Sequence, residues 1–148
     1  MLEVRNISSD GGVRNVSFRV RRGEVMGLGG VIGSGRTEIA RALFGLDRVY
    51  SGDIMVDGRK ITLRSPVDAI HAGIALLPEN RKSDGLFFNF TAAPNISSAS
   101  LKKLSRFGLL RERREDEVCR HYVDDLEISA RALNHTVMFL SGGNQQKV

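Results

Sequence analysis

An α/β fold with a parallel sheet is what this sequence predicts, on three observations. The apolar segment from Glu24 to Gly29 runs into a loop in which five of the nine residues from Gly27 to Gly35 are glycine. An amphipathic stretch follows that loop at once, and a second helical stretch begins at Pro66. It breaks at Gly73 into the apolar run Ile74–Leu77. Buried strands that alternate with helices build parallel sheets, because each crossover helix covers a face.

Two shorter strands precede these, Leu2–Ile7 and Val13–Val20. In the second, Val16, Phe18 and Val20 share one face, and Asp10-Gly11-Gly12 supplies the intervening turn. Thr37 opens the first helix, with Ile39, Ala40 and Leu43 on one side and Gly45 where a helix usually stops. Residues 51–58 form a strand bounded by turns, with Lys60–Leu63 as its hairpin partner, extending the first two strands. Pro66 suits the first position of a helix that carries Val67, Ile70 and His71 at helical spacing. From Thr91 to Asn134 the pattern is helical, with Val118, Tyr122, Val123, Leu126 and Ile128 as an apolar stripe. Met26, Met55, Met138 and Phe87, Phe88 and Phe90 are expected to fill core or subdomain contacts.

The 148 residues suffice for one domain or a large piece of one, and 41% apolar with 26% charged usage excludes wholesale disorder. A net charge of +5 is shared by the halves, 11 cations to 9 anions in residues 1–80 and 11 to 8 in 81–148, which argues against a dedicated nucleic-acid surface. Cys119 is alone, so no internal disulfide or cysteine metal cluster forms and a reducing compartment is expected. Residues 1–6 do not read as a secretory signal and no apolar run is long enough to span a membrane, so a membrane link is expected to come through a partner. His71, His121 and His135 share no metal-ligand spacing.

Two segments carry chemistry. Gly30-Val-Ile-Gly-Ser-Gly35-Arg36-Thr37 matches the phosphate-cradling pattern G-x-x-x-x-G-K-[ST] except that arginine replaces lysine. Glycines let backbone N–H groups converge on phosphate oxygens, the following helix presents its positive end, and Thr37 offers an oxygen to magnesium. Arg36 is a broad planar cation where a compact one is usual, which favours binding over turnover. The second segment, Leu140-Ser141-Gly142-Gly143-Asn144-Gln145, is a serine-capped turn into a polar helix and another nest of backbone donors.

With these motifs in place, the chain resembles the ATP-binding domain of ABC transporters, whose signature motif reads Leu-Ser-Gly-Gly-Gln or close variants. Leu140 to Val148 is similar to the bacterial monosaccharide importers for ribose, galactose, arabinose or xylose, whose ATPase subunit carries two such domains in tandem. Gly33 to Glu38, Ala42 to Gly45 and Pro78-Glu-Asn-Arg-Lys82 with Gly85-Leu-Phe resemble the second, C-terminal domain. The family fold implied is a P-loop NTPase (RecA-like) core with an N-terminal antiparallel β subdomain and an α-helical subdomain. On this chain it gives about 1–90 to the β subdomain and core, 91–140 to the helical subdomain and 140–148 to the signature, truncated after that motif.

The resemblance assigns Gly30, Gly33, Ser34, Gly35, Arg36, Thr37 and Glu38 to ATP, with Thr37 reaching Mg2+ through the nucleotide. Ser141 to Gly143 would reach the γ-phosphate held by an opposing domain. Glu79 stands where the family usually has a glutamine that senses magnesium and contacts the transmembrane subunit. No aromatic in Ser8–Arg14 occupies the adenine-stacking place. The family's magnesium-strand aspartate, catalytic glutamate and switch histidine follow the signature, so no catalytic residue falls within these 148 and the chain alone is expected to be inactive and marginally stable.

The implied protein is the energy-coupling component of a carbohydrate importer, peripheral on the cytoplasmic face of the bacterial inner membrane. Its partners would be a second ATP-binding domain, permease subunits and, indirectly, a periplasmic sugar-binding protein, with no nucleic acid. The alternative is a noncatalytic nucleotide-binding or assembly module. Lys102, Lys103, Arg106, Arg111, Arg113 and Arg114, followed by the acidic run from Glu115 to Glu127, read as a solvated helical surface or as a permease contact.

Overall fold

Alternation and turn chemistry place the first strands close to where the sequence predicts them. In the computed structural model, which describes the backbone of residues 1–148 and every side chain except that of Ala130, β1 spans Leu2–Ser9, β2 Val16–Val20, β3 Val49–Val56 and β4 Arg59–Ile61. They form an antiparallel sheet in the order β2-β1-β3-β4. The β3–β4 turn is Asp57-Gly58, both at positive φ (49° and 77°), the pairing a tight hairpin requires. Register slips in both β1 ladders near Asn6. Gly52 crosses there at φ 86°, and a Cβ on it would lie 2.4 Å from the Arg5 carbonyl oxygen.

Helices α1 (Arg36–Leu43) and α2 (Pro66–His71) cover the sheet. The core joins Val4, Ile7, Val13 and Ile54 to Ala42, Leu63 and Ala69, with Phe18, Ile39, Leu43 and Ile74 packed around it. Ser65 caps α2 by accepting from Asp68 N–H, and Pro66 occupies its first turn as predicted.

The expected parallel strands are absent among the described residues. Residues 24–29 and 74–77 have no regular secondary structure and no ladder partners, with Val25 98% and Leu77 89% exposed. A parallel strand is stabilised only by its neighbours, and no described strand lies beside either segment. The described sheet is therefore wholly antiparallel, within a fold that mixes strands and helices.

The chain divides into two compact units, Met1–Leu76 and Leu77–Val148. In the second, a single π-helical turn at Arg81–Gly85 precedes α3 (Ala92–Ser98), α4 (Leu101–Leu104), α5 (Glu112–Asp125) and α6 (Gly142–Lys147), with 3-10 turns before α6. A short hairpin, β5 (Ser105–Arg106) and β6 (Leu109–Leu110), interrupts what the sequence reads as continuous helix. Ala92, Val123, Ile128, Ala132 and Val137 form the core. Two of the five residues in the predicted stripe, Tyr122 and Leu126, are exposed, while Val123 and Ile128 are buried. Phe87, Phe90 and Met138 are also exposed rather than core, the two phenylalanines meeting edge to face.

Candidate functional site

The glycine loop takes its shape from φ rather than from packing. Gly33 and Gly35 sit at φ 82° and 88°, and no atom lies within 4 Å of where their Cβ atoms would be. Only glycine adopts this conformation cheaply. Gly30 differs, because a Cβ there would lie 2.3 Å from Ser34 Oγ. Within the loop Ser34 N–H donates to the Val31 carbonyl at 3.1 Å. Gly35 precedes α1 without a side-chain cap, so the first-turn N–H groups of Arg36, Thr37 and Glu38 depend on water or a ligand. Arg36 is exposed, and its Nη2 reaches back to the Val31 carbonyl at 3.4 Å. Thr37 is exposed and Glu38 is half-buried in the same turn.

The serine turn in the second unit is held by side chains. Ser141 is the N-cap of α6, its Oγ accepting from Asn144 N–H at 3.3 Å. Gln145 Nε2 donates to the carbonyls of Val137 (3.0 Å) and Leu140 (3.2 Å), tying α6 to the turn before it. Asn144 Oδ1 accepts from Ser129 N–H, and Lys147 Nζ donates to the Glu127 carbonyl at 2.9 Å. Leu140 packs on the second core, while Ser141, Gly142 and Gly143 are exposed.

Glu79 is exposed, and the next residue organises the turn: Asn80 Oδ1 accepts from Lys82 and Ser83 N–H. Arg81 Nη1 then donates to the Gly142 carbonyl at 2.6 Å. The sequence singles out Pro78 to Lys82 only as a motif. It gives no sign that Arg81 reaches a partner 61 positions away, because such pairing is set by the tertiary fold.

A family profile described as "ABC transporter" matches residues 13–148. The chain belongs to the ABC transporter family. It is 45% identical to ribose import ATP-binding protein RbsA 2 of Rhizobium johnstonii, over all of this chain and 29% of that protein. It is 41% identical to ribose import ATP-binding protein RbsA of Oceanobacillus iheyensis, again over the whole chain and 30% of the relative. The chain thus spans about three-tenths of the length of the curated relatives it matches. Among solved structures, the dimeric bacterial ABC transporter cassette MJ0796 superposes with a TM-score of 0.73 at 21% identity, over 99% of this chain and 66% of that one. The fold is that of a P-loop ABC cassette.

Proposed function

We propose that the chain is the ATP-binding component of a carbohydrate ABC importer and corresponds to the second of two tandem ATP-binding domains. The names of its relatives support sugar import. The arginine in its phosphate loop supports the second-domain assignment. The observation that carries the reading is the pair of glycine-bearing turns, each opening directly onto a helix N-terminus.

The residues present fit a magnesium-bound triphosphate. Gly33 and Gly35 leave room for close backbone approach, Gly30 and Ser34 pack against each other at the start of the loop, the N–H groups of Arg36 to Glu38 are uncapped, and Thr37 offers a hydroxyl for the metal. Bound ATP and Mg2+ would supply the phosphoryl chemistry. Arg36 would hold negative charge from the rim, since its guanidinium is longer and flatter than an ammonium. Leu140 anchors the second turn, and Ser141, Gly142, Gly143, Asn144 and Gln145 would present it to nucleotide on a second ATP-binding domain. Glu79 would occupy the position that faces the metal and the permease, where its carboxylate alters the charge that a glutamine would present. In this reading residues 1–90 are the β subdomain and core, 91–140 the helical subdomain, and the protein sits at the cytoplasmic face of the inner membrane beside its permease.

The test is ATP turnover and nucleotide affinity in the full-length protein. Ser141→Arg should abolish turnover while leaving nucleotide affinity at the Gly30–Thr37 loop within about twofold. Arg36→Lys should change affinity at its own loop and leave the partner site's turnover intact. If Ser141→Arg turns over like the parent, the reading fails. If it instead prevents association of the two ATP-binding domains with no turnover in the parent, the protein is an assembly module.

A further inference from the structure

Residues 101–114 hold Lys102, Lys103, Arg106, Arg111, Arg113 and Arg114 against Glu112 alone. The rest of the chain is balanced, sixteen cations to sixteen carboxylates, so the entire net charge of +5 resides in this one segment. Its near-even division between the two halves conceals this. All six cations are exposed. Arg114 meets Glu117 at 3.4 Å, but Lys102, Lys103, Arg111 and Arg113 have no ion pair among the described residues. The acidic residues that follow are engaged elsewhere: Asp116 holds Arg120 at 2.9 Å, and Glu115 accepts from Ser97 Oγ.

The segment folds as the β5–β6 hairpin, with Arg106 opposite Leu109 and Ser105 opposite Leu110. Its two turn residues, Phe107 and Gly108, both have positive φ, 53° and 82°. Asparagine suits the first of these positions, whereas a bulky residue there is a steric outlier. Phe107 gains no burial in return, since it is 93% exposed with Leu109 75% exposed beside it. The Arg106 guanidinium lies 5.3 Å from its ring centre. A local preference broken without a packing gain is the mark of a surface kept for another purpose.

We propose that the β5–β6 hairpin is a contact site for an anionic lipid surface. Phe107 and Leu109 enter the boundary between headgroups and acyl chains, and the surrounding lysines and arginines lie on headgroup phosphates with their stems along the apolar tip. Each cation near an anionic leaflet strengthens binding about fivefold. Single-stranded RNA also attracts cations and aromatics, but it stacks on open rings. Here Arg106 covers one face of Phe107, and the neighbouring apolar groups, Leu109 and Leu110, are aliphatic. The inference does not rest on the nucleotide reading.

The test is sedimentation of the full-length chain with vesicles of phosphatidylcholine containing phosphatidylglycerol, against phosphatidylcholine alone. Binding should require the anionic lipid. Phe107→Asn relieves the turn, so it should keep or raise the melting temperature while weakening vesicle binding by at least about tenfold. Lys102, Lys103, Arg111 and Arg113 all changed to Gln should abolish it. These 148 residues hold no tryptophan, so Phe107→Trp adds a reporter at the hairpin tip, and the emission it adds over the parent should shift to the blue on anionic vesicles only. Equal binding to both vesicle types, parent-like binding by Phe107→Asn, an unshifted reporter, or RNA displacing the vesicles at lower concentration would overturn the proposal.

Discussion

The two candidate anion turns stand on different supports. Between Gly30 and Gly35 the backbone itself sets the shape: two glycines at positive φ, a Ser34 N–H to Val31 bond, and no cap on α1. Around Ser141 the shape is set by side chains from several places in the sequence, with Arg81, Gln145, Asn144 and Lys147 each bonded to backbone. A loop of the first kind is open, with first-turn N–H groups that no side chain caps. A turn of the second kind is preorganised, which is what the proposed reach toward a second domain's nucleotide would need.

The contrast is sharpest among the glycines of the first unit. Gly52→Ala forces a Cβ to within 2.4 to 2.5 Å of the Arg5 and Asn6 backbone at φ 86°, and backbone in a four-stranded sheet has nowhere to move. We expect a loss of at least about 3 kcal/mol, read as a thermal or denaturant midpoint. Gly35→Ala meets open space and only a strained φ, so about 1–2 kcal/mol is expected. Its main effect should be lost nucleotide affinity. Equal losses in the two variants would erase the distinction between a packed glycine and a ligand-shaped one.

In the second unit the largest effect belongs to Gln145. Truncation to alanine leaves the Val137 and Leu140 carbonyls without their shared donor, costing about 2 kcal/mol. Faster amide exchange of Asn144 and Val148, whose N–H groups bond within this turn, should report it. Ser141→Ala removes only the cap and should cost about 1 kcal/mol. Parent-like exchange in Gln145→Ala would mean that the turn needs no scaffold.

What the sequence shows plainly is local. The β2 alternation, the Asp57-Gly58 hairpin turn, the Ser65-Pro66 helix start and the Ser141 cap all write their structure within a few residues. Residues 24–29 and 74–77 look like buried strands because an apolar run is all that periodicity can register, yet pairing is decided by distant neighbours. The β5–β6 hairpin is hidden because Phe107 stands where asparagine or glycine would have announced a turn. Both candidate anion turns are legible from glycine and serine spacing alone. The Arg81 to Gly142 bond is not, since nothing near Arg81 encodes it.

The smallest expected effect separates the units by pH. On β1, Glu3 faces Arg19 across the ladder at 2.7 Å and meets Arg5 at 3.0 Å. Chiefly the Arg19 hydrogen bond, opposed by desolvation and aided by Arg5, holds its carboxyl below the ordinary 4.5. A depressed folded value means that its stabilisation is complete above pH 4.5 and disappears as acid protonates the folded carboxylate. On α5, burial pushes the Cys119 thiol up to about 11 from 9.0, with Glu115 and Asp116 adding to the shift. This group's contribution has the opposite dependence: it is complete below pH 9 and declines as pH rises toward 11, because the unfolded chain ionises first. Glu3→Gln should therefore melt below the parent at neutral pH and converge with it in acid, while Cys119→Ala should flatten the alkaline decline. Amide exchange should place the acid loss in residues 1–76 and the alkaline loss in residues 77–148. A gap between Glu3→Gln and parent that stays constant down to pH 2 would show that the Arg19 pair contributes through packing and not through charge.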